Sequence, residues 1–220
     1  MTVFADRREA GRVLGEEVAR RLEMTSPLVL GLARGGVPVA AEVARELDGE
    51  LDVLVVRKVG VPGQPELAAG AIASGGIQVL SERVMGMTGL DEDDLQPVVE
   101  REQAELERRE KAYRGDRPPL DVNGRTVVLA DDGMATGSTM LAAVKAVRKL
   151  GAGRIIVAVP TASDEAAADL GREADEIVCL DTPSPYMAVG YWYRNFGQTS
   201  DEEVRELLHE STTAGTRADG

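Results

Sequence analysis

The residues best suited to chemistry sit together in Thr126-Val-Val-Leu-Ala-Asp-Asp-Gly-Met-Ala-Thr-Gly-Ser-Thr-Met140. Two carboxylates, Asp131 and Asp132, stand side by side. A pair of this kind repels an anion, but it accepts hydrogen bonds from hydroxyl groups and suits a divalent cation. The residues after it do the opposite. Backbone N–H groups of Ala135 to Thr139, at the start of a helix, would form a nest for a phosphate, helped by the helix dipole. Thr136, Ser138 and Thr139 add hydroxyl donors, and Gly133 and Gly137 let the backbone come close to a ligand. One loop therefore offers acceptors for a sugar diol and donors for a phosphate.

The flanking residues supply the elements that must hold this loop. Val127 to Ala130 form an apolar run bounded by Gly124 and Asp131, which predicts a buried parallel strand. Leu141, Val144, Val147 and Leu150 then recur at helical spacing. A strand, a polar loop and a helix N-terminus in that order mark the place where open α/β sheets bind ligands. A Walker loop is excluded, because no Lys occupies the required position, and the Rossmann glycine fingerprint is absent from this turn.

The stretch closely resembles the signature of the type I phosphoribosyltransferases: an apolar strand, two acids, then Thr-Gly-Ser-Thr. That resemblance implies an α/β fold, a parallel twisted sheet flanked by helices with a small hood. It implies that Asp131 and Asp132 hold the ribose hydroxyls of phosphoribosyl pyrophosphate (PRPP) and a Mg²⁺ ion. Ala135, Thr136, Gly137, Ser138 and Thr139 would take the 5′-phosphate, with Gly133 and Met134 completing the substrate loop.

Two further strand ends carry cations. Pro27 to Ala33 predicts the first core strand, Arg34-Gly35-Gly36 a tight turn, and Val37 to Leu47 a helix. Freed amides and the Arg34 guanidinium could grip a diphosphate, and the same residues would equally make a plain βα turn with a surface Arg. The family resemblance favours a pyrophosphate loop, where a residue is often strained or cis. Asp52 to Val56 predicts a second buried strand, followed by Arg57, Lys58 and a Gly/Pro-rich stretch to Glu66 that reads as a mobile lid. It resembles the Arg-Lys pair and catalytic loop of adenine and orotate phosphoribosyltransferases. Arg57 and Lys58, with Asp131 and Asp132, are the residues to which the resemblance assigns catalysis.

The rest of the chain reads as support. Asp6 and Glu9 mark a helix start, with Ala10, Val13, Leu14, Val18 and Leu22 on one packing face. Leu67–Ala73 and Ile77–Leu80 predict a hairpin, and Asp91–Tyr113 a charge-dense helix with a solvated face and a thin stripe of Leu95, Val99 and Leu106. Further strands are expected at 154–159 and 176–180, with a helix over 164–171 between them. Residues 182–196 hold all but two of the aromatics. Tyr186, Tyr191 and Trp192 could stack on a flat heterocycle, or the group could fill a minor core or a dimer contact. The expected organisation is one domain over 1–220, with a hood at about 181–199, a capped helix over 201–208 and a disordered end over 211–220.

Composition narrows the partners. A net charge of −13 and a pI of about 4.6 argue against nucleic acid and anionic membranes. One cysteine, Cys179, allows no internal disulfide and fits a cytoplasmic location, and no apolar run is long enough to span a bilayer. His209 is the only histidine and lies far along the chain from the loop. The expected reaction is displacement of pyrophosphate from PRPP by a nitrogen nucleophile such as a nucleobase, in nucleotide salvage, by a homodimer. The alternative is a regulatory module that kept the PRPP site without turnover. In 6-oxopurine members of the family the position matching Ala135 is commonly an Asp that handles a purine proton. A methyl group cannot do that, and the Ala-Thr-Gly loop resembles the adenine enzymes better.

Overall fold

The computed structural model describes residues 3–23 and 26–215. Along the chain come α1 (Arg7–Arg21), β1 (Leu28–Leu32), α2 (Gly36–Glu46) and β2 (Glu50–Leu54). An excursion follows: β3 (Val56–Val61), β4 (Gln64–Ala73), β5 (Ile77–Leu80), α3 (Glu82–Thr88) and α4 (Glu92–Arg114). The chain then returns through β6 (Thr126–Ala130), α5 (Ser138–Lys149), β7 (Arg154–Thr161), α6 (Asp164–Leu170), β8 (Glu176–Asp181) and α7 (Asp201–Gly215).

The apolar runs form a five-stranded parallel sheet in the order β2-β1-β6-β7-β8. Such runs have no polar face to turn to water, so both faces must be covered. Side chains alternate accordingly. Val29, Val53, Val128 and Ile156 pack toward α1, α2 and α7, while Leu30, Leu129, Ile155 and Val157 pack toward α5 and α6. The chain winds from β1 outward to β2, and later re-enters the sheet on the other side of β1 at β6. β1 and β6 are therefore neighbours whose following helices lie on opposite faces, and a crevice opens beyond their carboxyl ends. The register sets Gly31 beside Ala130, so the loops at Arg34 and Asp131 leave the sheet together.

Local signals place the helices. The Asp6 side chain accepts from the N–H groups of Arg8 and Glu9 at 3.0 Å, and the predicted face Ala10, Leu14 and Val18 is buried. Asp91 and Asp94 close a capping box at the start of α4. Ser200 caps α7, accepting from the Glu203 N–H at 3.1 Å.

Three expectations change. The stretch after Arg57 is not a loop: β3 and β4 form a hairpin turning at Pro62-Gly63, and with β5 they make a small antiparallel sheet. Gly and Pro act there as turn residues rather than as a flexible run. Helix α4 buries Glu102 and Tyr113 as well as its apolar stripe, so its charged side is not wholly solvated. Residues 211–215, expected to be disordered, continue α7, while 216–220 lie outside the described residues. Leu129 is fully buried in the central strand between β1 and β7. Leu129→Ala is expected to cost about 2–5 kcal/mol of folding stability, as read from urea unfolding midpoints.

Candidate active site

Strand β6 delivers Asp131 and Asp132 to the floor of the crevice, where the β1 turn leaves almost no room for them. A Cβ on Gly35 would strike Asp132 Oδ2, and one on Gly36 would lie 2.6 Å from the Ala130 carbonyl and 2.9 Å from Asp131 Oδ1. Both glycines are required by this close approach rather than by their dihedral angles. The Ala33–Arg34 peptide between strand and turn is cis. A cavity of about 340 Å³ opens over these groups, walled by Arg7, Arg34, Gly35, Asp131, Asp132 and Phe196.

The two acids have different surroundings. Asp131 Oδ1 accepts from the Asp132 N–H at 2.9 Å. Loss of water around Asp131, then the adjacent Asp132, pushes its carboxyl well above the ordinary value. Asp132 also rises through loss of water, opposed by Arg7, whose Nε donates to Oδ2 at 2.8 Å. Arg7 Nη1 donates to the Gly197 carbonyl at 2.6 Å, and its guanidinium lies 4.0 Å from the Phe196 ring centre. The buried Tyr193 hydroxyl donates to the Asp132 carbonyl at 2.6 Å, and its ring stacks on Phe196 at 5.1 Å.

Beyond the acids, the loop is pinned at its base and open at its tip. The Met134 N–H donates to the Thr161 carbonyl and Ser163 N–H to the Met134 carbonyl, both at 2.9 Å, while Ser163 Oγ donates to the Ala135 carbonyl at 2.7 Å. Met134 is buried, so it anchors the loop to β7 and its amide is not a free phosphate donor. Ala135, Thr136, Ser138 and Thr139 are exposed, and the N–H groups from Ala135 to Thr139 make no hydrogen bond within the described residues. Gly137, at φ 69°, adopts the left-handed conformation that aims them outward. Gly133 lies against the segment after β8, where a Cβ would meet Val189 at 2.7 Å and the Tyr186 hydroxyl at 3.2 Å.

The predicted cations all carry counter-ions except one. Arg34 Nη1 reaches Asp201 Oδ1 at 3.2 Å, the same oxygen that Tyr113 donates to at 3.0 Å. Arg57 donates to Glu102 Oε2 from Nε at 2.9 Å and from Nη2 at 2.5 Å. Lys58 is exposed, with no ion pair among the described residues. The aromatic segment divides. Tyr191 is 67% exposed and Tyr186 is half-buried, but Trp192 is 2% exposed, packed with Phe4, Ala10 and Tyr193, and cannot stack on a ligand. A larger cavity of about 720 Å³ lies at the other end of the sheet, beside Leu28 and Glu50. Several of its wall charges pair with one another, as in Arg114–Asp52 at 2.9 Å and Arg125–Glu50 at 2.7 Å.

Sequence reading missed Arg7, Tyr193, Glu102 and Asp201. Arg7 sits at the start of a helix that reads as packing. Only its place beside a helix start, in an Arg-rich first turn, could have drawn notice. The pair Asp131–Asp132 makes the folded protein sensitive to pH. A carboxyl raised on folding stabilises the protein below its ordinary value of 3.8 and loses that contribution as pH rises through the raised value. In metal-free protein without ligand, Asp131→Asn is therefore expected to melt at a higher temperature than the parent at about pH 7. The difference should vanish below pH 3.8, as followed by scanning calorimetry across the range.

The sequence pattern of the phosphoribosyl transferase domain matches residues 8–191. A Mycobacterium tuberculosis protein, provisionally named a phosphoribosyl transferase, is 48% identical over 208 residues, which is 94% of this chain and 47% of that protein. The chain thus spans about half the length of the curated relatives it matches at this level. The crystal structure of the Thermus thermophilus protein TT1426 superposes with a TM-score of 0.85 at 47% identity, over 95% of this chain and 99% of that one. A hypothetical protein from Neisseria gonorrhoeae, solved with bound ppGpp, shares the fold at a TM-score of 0.50 and 11% identity, over 96% and 97% of the two chains. The acid pair at the sheet's switch point, the open amide loop beside it and the match across 8–191 have one reading: this chain belongs to the phosphoribosyl transferase domain family.

Proposed function

We propose that this protein transfers the phosphoribosyl group of PRPP to a nitrogen nucleophile, a nucleobase or related heterocycle, and releases pyrophosphate. One observation carries the reading: the carboxylate pair and the unbonded amides of Ala135–Thr139 lie on one loop at the switch point of the sheet. In this reading Asp131 and Asp132 accept the ribose hydroxyls, and the amides and hydroxyls from Ala135 to Thr139 take the 5′-phosphate at the start of α5. Bound at both ends, the sugar is held with its reacting carbon fixed for attack. Arg34 and the Gly35-Gly36 turn face the diphosphate, and Lys58, with Arg57, offsets the charge that develops on it as it leaves.

The donor set suits Mg²⁺. Asp131 and Asp132 are the two carboxylates that would hold it, and no group of three or more acids, His or Cys gathers there among the described residues. Mg²⁺ characteristically keeps several waters and binds through one or two carboxylates plus substrate oxygens. When bound it supplies charge to offset the diphosphate.

The acceptor would lie under the hood, against Tyr186 or Tyr191. The Ala135 methyl disfavours 6-oxopurines, since it neither takes nor gives a proton. No helix among the described residues is long and apolar enough to cross a membrane. A cytoplasmic homodimer is the assembly that this reading carries, and light scattering checks the dimer. A second reading, a binding module without turnover, draws on the internal acids that occupy Arg34 and Arg57.

Pyrophosphate release from PRPP, measured across a panel of nucleobases, separates the two. Turnover with at least one non-oxopurine base is the expected result. No release with any base would favour the module, and rapid turnover of hypoxanthine or guanine would remove the acceptor assignment. In calorimetry, Asp132→Asn and Asp131→Asn should each weaken PRPP binding by about 1.5–3 kcal/mol per charged hydrogen bond lost. Undiminished affinity in both would end the ribose assignment. Arg57→Ala and Lys58→Ala should lower turnover more than PRPP affinity, as seen by comparing single-turnover rates with binding constants. Equal losses in the two would make these cations plain anchors.

A further inference from the structure

We propose that Arg7 is a positioning residue of this site: it fixes the Asp132 carboxylate for the ribose and fastens the 193–197 segment across it. The inference rests on the reading of Asp132 as a ribose acceptor. Its ground is a closed ring of contacts. Arg7 Nε holds Asp132 Oδ2 at 2.8 Å, Nη1 holds the Gly197 carbonyl at 2.6 Å, and the guanidinium plane covers Phe196 at 4.0 Å. Phe196 stacks on Tyr193, and the Tyr193 hydroxyl returns to the Asp132 carbonyl at 2.6 Å. Asp132 is thus held by its side chain and its main chain at once, from two segments that the signature loop does not contain.

This is not an ordinary surface ion pair. The Arg7 and Asp132 side chains are only 12% and 13% exposed, so a partner lost here would leave a poorly hydrated charge. Arg7 bonds the carboxylate through Oδ2, and Asp132 with its partner Arg7 lines the cavity. The rest of the segment is tied to the same end of the chain. The Phe4 N–H donates to the Trp192 carbonyl, and the N–H groups of Arg194 and Asn195 donate to the carbonyls of Phe4 and Ala5, all at 2.9 Å. Arg7, Tyr193, Phe196 and Gly197 all fall outside the 8–191 match, so the shared family pattern does not specify this ring. A planar fork that bonds two oxygens and covers a ring is a task for Arg and not for Lys.

The test is a double-mutant cycle read by calorimetric PRPP affinity, with thermal midpoints measured on the same samples. Arg7→Ala is expected to weaken PRPP binding about tenfold or more, in the range usual for residues that orient a ligating group. On an Asp132→Asn background the same change should add almost nothing, because the two act through one carboxylate. Arg7→Lys should recover part of the loss, and Phe196→Leu should mimic a smaller part of it. If Arg7→Ala does not fold, Arg7→Lys and Phe196→Leu carry the same comparison. A lowered midpoint with PRPP affinity unchanged would assign Arg7 a purely structural role and overturn the proposal. So would fully additive losses in the cycle. If the parent protein itself bound no PRPP, the proposed function would fall and this inference with it; parent binding matched by the variants would remove only the role of Arg7.

Discussion

Two carboxylates on consecutive residues, at the end of a strand with no face toward water, repel each other and resist leaving their hydration. The neighbouring structure is arranged to make that tolerable. Gly35 and Gly36 carry no side chain, so the β1 turn can pass over the acids. Arg7 supplies a cation to one acid, a backbone N–H serves the other, and Tyr193 ties down the main chain between them and the loop. The parallel order of the sheet decides where this happens, since only beside β1 and β6 do successive helices part to opposite faces and leave an open crevice. Remove the pair, and the glycine turn, the tyrosine and the reach of Arg7 across the chain lose their common object.

Charge balance extends outward from there. Arg34 leans on Asp201, and Arg57 on Glu102, so both cations are already satisfied within the protein, and of the two it is Arg34 that borders the cavity over the acids. An anion drawn to either guanidinium would have to displace a carboxylate already in place. Its affinity would then be a difference between two sets of ion pairs, to which α4 and α7 contribute as much as the loops do. Lys58, exposed and without a carboxylate partner among the described residues, has no such exchange to make.

The sequence revealed what depends on local pattern. The apolar runs announced the core strands, and the helical spacing after Met140 announced α5. The acids, with Ala-Thr-Gly-Ser-Thr shortly after them, pointed to an open polar loop at the end of β6, because strand, turn and helix start all act over a few residues. What it concealed depends on distant pairing. No periodicity marks Arg7 as the partner of Asp132, 125 positions away, nor Glu102 as the partner of Arg57. The aromatic cluster misled in part. Composition shows that rings gather at 186–196 but not which of them turn inward, and Trp192 turns into a minor core with Phe4 and Tyr193. The Gly/Pro stretch after Arg57 also has two readings from composition alone. Pairing with a long β4 decides in favour of a hairpin.

That hairpin is fastened to the body of the protein from its root outward. Where the chain leaves the large sheet, the Val55 N–H donates to Ser74 Oγ and the Ser74 N–H to the Val55 carbonyl, both at 3.0 Å, and Ser74 is completely buried. The turn at Pro62-Gly63 is exposed at both residues and, at the usual rise along a strand, roughly 20 Å from that clamp. The grip does not end there. Val59 and Val61 of β3 and Ala69 and Ile72 of β4 are buried in one cluster with Leu95, Val99 and Leu106 of α4. The ribbon is therefore seated along its length as far as the residue before the turn, and Arg57, which bonds Glu102 of the same helix, is carried on a fixed bed rather than on a free arm.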